Sequence, residues 1–168
     1  MSWDIRPAEE SDLLQINDMV NHFIRHTTVN WSYDDRPMEE ALAWFRQHQP
    51  PRYPLYVVEQ DGQVAAYGCL SPFRPKAGYW PVAENSVYVR PEYKGRGMGK
   101  ALMQRLIADA RQSGLRVITA WVDADNQESI TFHERLGFRR VGEMRGIGEK
   151  FGRRLSVAIL DLDLEENQ

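Results

Sequence analysis

The stretch Val87-Tyr88-Val89-Arg90-Pro91-Glu92-Tyr93-Lys94-Gly95-Arg96-Gly97-Met98-Gly99-Lys100 decides how the chain folds. A β-favouring run ends at Arg90-Pro91, and glycines follow at 95, 97 and 99. An apolar stripe at helical spacing, Leu102, Leu106 and Ala110, then extends to about Gln112, with Gly114 placed as a C-cap. Strand, glycine turn and helix N-terminus in that order make a phosphate cradle. Glycine lets the backbone approach an anion, and the first-turn N–H groups have no partner within the helix. Two versions of the device fail. A Walker A loop needs four residues between its glycines and a hydroxyl after the lysine, but Gly95 and Gly99 enclose three and Ala101 follows Lys100. A dinucleotide fingerprint needs glycine at position 100, which is lysine.

Outward from this stretch, strand and helix periods alternate. Trp3–Arg6 is a first strand. Leu13, Ile16, Val20 and Phe23 form a helical stripe behind a Ser11 cap. Pro37 opens a second helix, with Leu42 and Phe45 as its apolar side, and Pro50-Pro51 ends it. Leu55–Glu59, the turn Asp61-Gly62 and Val64–Leu70 form a hairpin, and a proline-bearing loop runs from Ser71 to Pro81. The strand Ser86–Val89 precedes the glycine turn. After its helix come a strand at Val117–Val122, a short helix at Ser129–Leu136, and strands at Arg139–Met144 and Leu155–Asp163. Hairpins outnumber crossovers, so the expected class is α/β (α+β): a mixed, mostly antiparallel sheet of about seven strands flanked by about four helices.

At 168 residues the chain fits one domain, 1–168, so any cofactor shares its core. The net charge of 21 − 24 = −3 has the wrong sign for a general nucleic-acid binder. No basic and apolar leader opens the sequence, and no apolar run nears the roughly 20 residues that span a bilayer, so no membrane partner and a cytoplasmic location are expected. Cys69, the one cysteine, has no partner for an internal disulfide and suits an apolar core position. His22 and His26 stand at i, i+4, but no cysteine or acidic partner completes a metal site near them, and no metal is expected.

The glycine turn resembles the pyrophosphate loop of the GCN5-related N-acetyltransferases (GNAT), with Lys94 where the family has Gln or Arg. That departure keeps the charge and loses the planar fork. Asn126-Gln127-Glu128-Ser129, Phe132-His133 and Leu136-Gly137-Phe138 resemble the family's Asn-x-x-Ser and Leu-Gly-Phe segments. The resemblance implies acetyl-CoA held by Val87, Tyr88, Val89, Gly95, Arg96, Gly97, Met98, Gly99, Lys100, Asn126 and Arg135. Further segments, His26–Trp31, Tyr53-Pro54, Ser71–Arg74, Glu84–Val89 and Gly148–Arg153, resemble the phosphinothricin and methionine sulfoximine N-acetyltransferases. That subfamily implies an amino-acid-like acceptor and a homodimer.

Direct acetyl transfer needs a group that removes a proton from the ammonium, a group that assists the leaving thiolate, and a donor for the oxyanion. The resemblance assigns the first two to Glu84 and His133, without fixing which is base and which acid, and the third to a backbone N–H near Val87 or Tyr88. The acceptor is expected against Arg74, Pro75, Lys76, Glu84, Asn85 and Ser86, in the loop before Glu84 and at the start of its strand. A guanidinium such as Arg74 can grip a carboxylate or phosphinate through two hydrogen bonds. Ordinary solvation also explains Glu84, Arg74 and Lys76, and a half-buried helix face explains His133. Two alternatives stay open: acetylation of a peptide or protein N-terminus, and a coenzyme A-binding module without turnover.

Overall fold

The computed structural model describes residues 2–166, so Met1, Asn167 and Gln168 of the expected 1–168 domain lie outside the described residues. Seven strands form one sheet in the order β1-β2-β3-β4-β5-β7-β6. They are β1 (Asp4–Pro7), β2 (Leu55–Gln60), β3 (Gln63–Pro72), β4 (Val82–Val89), β5 (Val117–Asp123), β6 (Arg139–Lys150) and β7 (Arg153–Asp163). Four α-helices flank it: α1 (Leu13–His26), α2 (Met38–Gln47), α3 (Met98–Gln112) and α4 (Gln127–Glu134). β4 and β5 pair in parallel, and the other neighbours are antiparallel.

Strand alternation divides the core between the two sheet faces. Leu55 and Val57 of β2, with Tyr67 and Cys69 of β3, pack under Ile16, Met19, Val20 and Phe23 of α1. Tyr56 and Val58 face the other way, into a larger cluster with Leu102, Met103 and Leu106 of α3 and Ile118 and Leu160 of β5 and β7. β2 is thus buried on both faces, as its unbroken apolar run requires.

Several expectations shift. Ser11 does not cap α1. A 3-10 turn at Glu10–Asp12 precedes that helix, and Glu9 and Asp12 form a reciprocal capping box across it. Ala41 is the fully buried residue of α2, while Trp44 and Phe45 pack at the core's edge. β4 begins at Val82 instead of Ser86, so Glu84, Asn85 and Ser86 are strand residues. β6 runs to Lys150, six residues past Met144, because Phe151 and Gly152 both take positive φ and close a tight hairpin onto β7.

Candidate active site

β4 and β5 share three rungs, Val82↔Val117, Ala83↔Ile118 and Glu84↔Thr119, and then diverge. β4 keeps its pairing to β3 through Val89, so from Asn85 onward its other edge has no strand partner among the described residues. The parting opens a cleft of about 800 Å³ lined by Val87, Tyr88 and Val89, the 94–100 turn and α4. At its apex the buried Asn85 side chain replaces the missing rung, its Nδ2 donating to the Thr119 carbonyl at 3.1 Å. A free strand edge beside a cleft can pair with the amides of an extended ligand arm.

The glycine turn has the geometry of an anion cradle. Gly95 and Gly97 hold φ of 77° and 80°, a region that L side chains rarely adopt. Gly97 is the N-cap of α3, and no side chain caps the helix, which leaves its first N–H groups for a ligand. Lys94 crosses the mouth to Glu128 of α4 at 3.1 Å. Arg96 folds back over the Tyr93 ring and donates to the Glu92 carbonyl at 3.2 Å. Lys100 and Arg135 line the cleft with exposed side chains, and Met98 anchors the turn in the core. A glycine turn, a free helix end, basic side chains and an open strand edge together fit the pyrophosphate and amide arm of acetyl-CoA.

The Asn-x-x-Ser segment has a local cause. Asn126 is the N-cap of α4, and its Oδ1 accepts from the Ser129 N–H at 3.1 Å. Its residue still lines the cleft. His133, one turn on, is 6% exposed and is not among the cleft-lining residues. Its Nδ1 lies 2.8 Å from the Ser129 carbonyl, and its Nε2 lies 3.1 Å from Asn85 Oδ1. Both partners are acceptors, so only a doubly protonated ring satisfies both. Burial opposes that charge more strongly and holds the ring below the ordinary histidine pKa.

Glu84 sits on the last shared rung, pointing to the α1/α2 face with Ser71 directly across on β3. Its carboxylate has no hydrogen bond among the described residues. Burial raises its pKa above the usual carboxylate range, against a smaller opposing pull from Arg74. The Arg74 guanidinium stacks over Phe73 at 4.4 Å and over Trp121 at 5.0 Å. Pro75 and Lys76 are exposed in the loop beyond, and Ser86 lies opposite Cys69. The structure thus brings Glu84, Arg74 and Ser86 to one side of β4, beside the point where β4 and β5 part, and like His133 none of the three is among the cleft-lining residues. Asn85 and His133 lie on the other side, joined to each other.

Phe23, expected only as part of the apolar stripe of α1, and Val29, in the His26–Trp31 segment, also line the cleft, from α1 and the loop after it. Lys150 is buried, and its Nζ donates to the carbonyls of Ile24, Thr27 and Asn30 at 2.6, 2.8 and 2.5 Å. It ties β6 to the loop that carries Val29. Its lysine identity resembles surface charge, so only its contacts reveal the role. No group of three His, Cys, Asp or Glu side chains placed to hold a metal occurs among the described residues, and no described helix is long and apolar enough to cross a membrane.

Comparison with known proteins supplies the same family from outside. The profile of the Acetyltransferase (GNAT) family matches residues 16–138. An L-methionine sulfoximine/L-methionine sulfone acetyltransferase of Salmonella typhimurium is 36% identical, over 97% of this chain and 95% of that protein. The L-amino acid N-acyltransferase MnaT of Escherichia coli is 35% identical, over 96% and 94%. The crystal structure of a phosphinothricin acetyltransferase from Sinorhizobium meliloti in complex with acetyl-CoA superposes with a TM-score of 0.93 at 29% identity, covering 99% of this chain and 90% of that one. With the cleft, the glycine turn and the fold in agreement, the chain belongs to the GNAT family and is an acetyl-CoA-dependent N-acetyltransferase.

Proposed function

We propose that the acceptor is the α-amine of a small amino acid or amino-acid analogue of the methionine sulfone, methionine sulfoximine or phosphinothricin type. The observation that carries this reading is the half-buried Glu84 carboxylate, free of hydrogen bonds, on the last rung before the cleft opens. Arg74 stands within electrostatic reach of it, so a cation for an acidic acceptor group and a base for its ammonium share one side of β4.

When bound, acetyl-CoA supplies the acetyl group as an activated thioester. Glu84 takes a proton from the acceptor ammonium, and its raised pKa suits a base that must also release that proton near neutrality. A backbone N–H of Val87 or Tyr88 on the free edge of β4 donates to the oxygen on which charge develops. Val87–Val89, the 94–100 turn and Asn126 bind the donor. His133 packs against Asn85 beside the fork of β4 and β5, with Nε2 3.1 Å from Asn85 Oδ1, a positioning role consistent with a ring shut away from the cleft. The reading includes a homodimer in which a second copy covers Val141, Met144, Ile147 and Phe151, large apolar residues exposed on and beside β6. Sedimentation of the purified protein tests that part.

The acceptor is tested by following free-thiol release from acetyl-CoA with a panel of L-methionine sulfone, L-methionine sulfoximine, phosphinothricin, the common amino acids and short peptides. Turnover of the analogues and little with peptides is the expected result. A preference for peptides would move the activity to N-terminal acetylation, and no turnover of any amine would favour a binding module.

A further inference from the structure

Three cross-strand pairs stand side by side on the α1/α2 face of the sheet: Tyr67 opposite Tyr88, Cys69 opposite Ser86, and Ser71 opposite Glu84. The third pair is joined by a buried histidine. His48 caps the C-terminus of α2, with Nδ1 2.7 Å from the Trp44 carbonyl and Nε2 2.9 Å from Ser71 Oγ. A carbonyl only accepts, so Nδ1 carries the ring proton. Burial, with a smaller contribution from the Arg36 guanidinium, holds the ring below the ordinary histidine pKa, so at neutral pH Nε2 is a bare acceptor.

Ser71 has one hydroxyl proton, and His48 takes it. The Ser71 oxygen therefore presents only lone pairs to the half-buried space it shares with Glu84. A hydroxyl free to rotate would donate to the carboxylate opposite, stabilise its charged form and weaken it as a base. The geometry accounts for the absence of a Ser71–Glu84 hydrogen bond between two side chains that face each other across a rung.

We propose that Ser71 contacts the substrate, its oxygen accepting an N–H of the acceptor amine beside Glu84, and that His48 is a positioning residue that turns the hydroxyl proton away from both. The proposal rests on the assignment of Glu84 as the base. The ammonium brings three N–H bonds. Glu84 takes one proton and becomes a neutral acid, and the electron pair left on nitrogen forms the new N–C bond as the C–S bond breaks. A second proton passes from the nitrogen to the departing thiolate, which leaves as the CoA thiol, and Ser71 Oγ holds the one N–H that stays in the amide. Two fixed acceptors orient that pair, which a single carboxylate does not. Arg74, Cys69 and Tyr88 are the other titratable or charged groups that Glu84 senses. Cys69 stays a thiol, because burial pushes its pKa up to about 12.

The test uses the full chain with acetyl-CoA and L-methionine sulfone, comparing Ser71→Ala, His48→Phe, His48→Gln, Glu84→Gln and the Ser71→Ala/His48→Phe double variant. Ser71→Ala should raise the acceptor KM about tenfold, the loss of one charge-assisted hydrogen bond, and leave the acetyl-CoA KM unchanged. His48→Phe should move the acid limb of kcat/KM to lower pH, because the freed hydroxyl now donates to Glu84. The double variant should return the limb to its position in Ser71→Ala, and His48→Gln, whose amide oxygen can accept from Ser71, should stay near the native profile. A purely structural His48 would not move the limb. An acceptor KM within twofold of native in Ser71→Ala overturns the proposal, and this arm decides alone if His48→Phe does not fold. An unmoved limb in a folded His48→Phe overturns it as well. If Glu84→Gln keeps native turnover, the base assignment fails. If Glu84→Gln abolishes turnover while Ser71→Ala behaves as native, only the present proposal fails. No turnover of L-methionine sulfone by the native protein overturns both.

Discussion

The side-chain amide of Asn85 donates to the carbonyl of Thr119 at 3.1 Å, one residue beyond the last backbone rung between β4 and β5. This bond sits at the apex of the cleft, where two parallel strands stop pairing. It substitutes a side chain for the backbone at the point where the edge of β4 must become free. His133 completes the arrangement from α4, so the helix beside the cleft and the two strands that form it meet at one buried amide.

Asn85→Ala should therefore lower stability by about 1–3 kcal/mol, the range for leaving buried polar partners unpaired. It should also raise the KM for acetyl-CoA more than that for the acceptor. Because Asn85 and His133 act through one contact, the Asn85→Ala/His133→Ala pair should lose less than the sum of the single losses. Thermal unfolding and steady-state kinetics check both points, and strict additivity would separate the two residues.

Lys150→Met should destabilise the protein by about 3 kcal/mol, since one buried and two half-buried carbonyls lose a charged donor. The loop held by those carbonyls carries Val29 to the cleft wall, so acetyl-CoA affinity should fall as well. Chemical denaturation and titration of acetyl-CoA measure the two effects, and native values for both would remove the latch from the account.

Gly148→Ala should cost about 1–3 kcal/mol, because its Cβ would lie 2.4 Å from the Trp31 ring and the ring has to move. Gly62→Ala meets nothing within 4 Å, and its cost comes from φ alone. A native midpoint of unfolding in Gly148→Ala would contradict the close packing of Trp31 on β6.

The pH dependence of stability follows from His48 and His133, both held below the ordinary histidine pKa by burial. As pH falls through the unfolded value of about 6.5, the unfolded chain binds protons that the folded one does not. The contribution of these histidines is thus complete above that pH and declines below it. Glu84, raised by burial, has the opposite sign, so the comparison is made within one background. The drop in thermal midpoint from pH 7.5 to 5.5 should be smaller in His48→Gln than in the native protein, and an equal drop would contradict the neutral His48.

Much of this was legible in the residues. The glycines at 95 and 97 specify the turn because positive φ is needed there, and the spacing of Leu102, Leu106 and Ala110 specifies α3. β6 was underestimated because it is exposed on both faces and carries Gly142, Gly146 and Gly148, so neither alternation nor composition marks it. The early start of β4 was hidden by the polar run Glu84-Asn85-Ser86, whose strand position follows from pairing to β3 and not from propensity. The links from Asn85 to His133 and from His48 to Ser71 join residues 48 and 23 positions apart, and no local pattern announces such contacts.

The central claim is that Glu84 removes a proton from a small amino-acid amine. Its most direct test is the pH dependence of CoA release for the native protein and Glu84→Gln, with L-methionine sulfone as acceptor. The account predicts a native rate that rises with pH through a value above the ordinary carboxylate range. It predicts a rate at least about a hundredfold lower in the variant, with that limb lost and the acetyl-CoA KM within twofold. A variant that keeps the native rate and the native acid limb would contradict it.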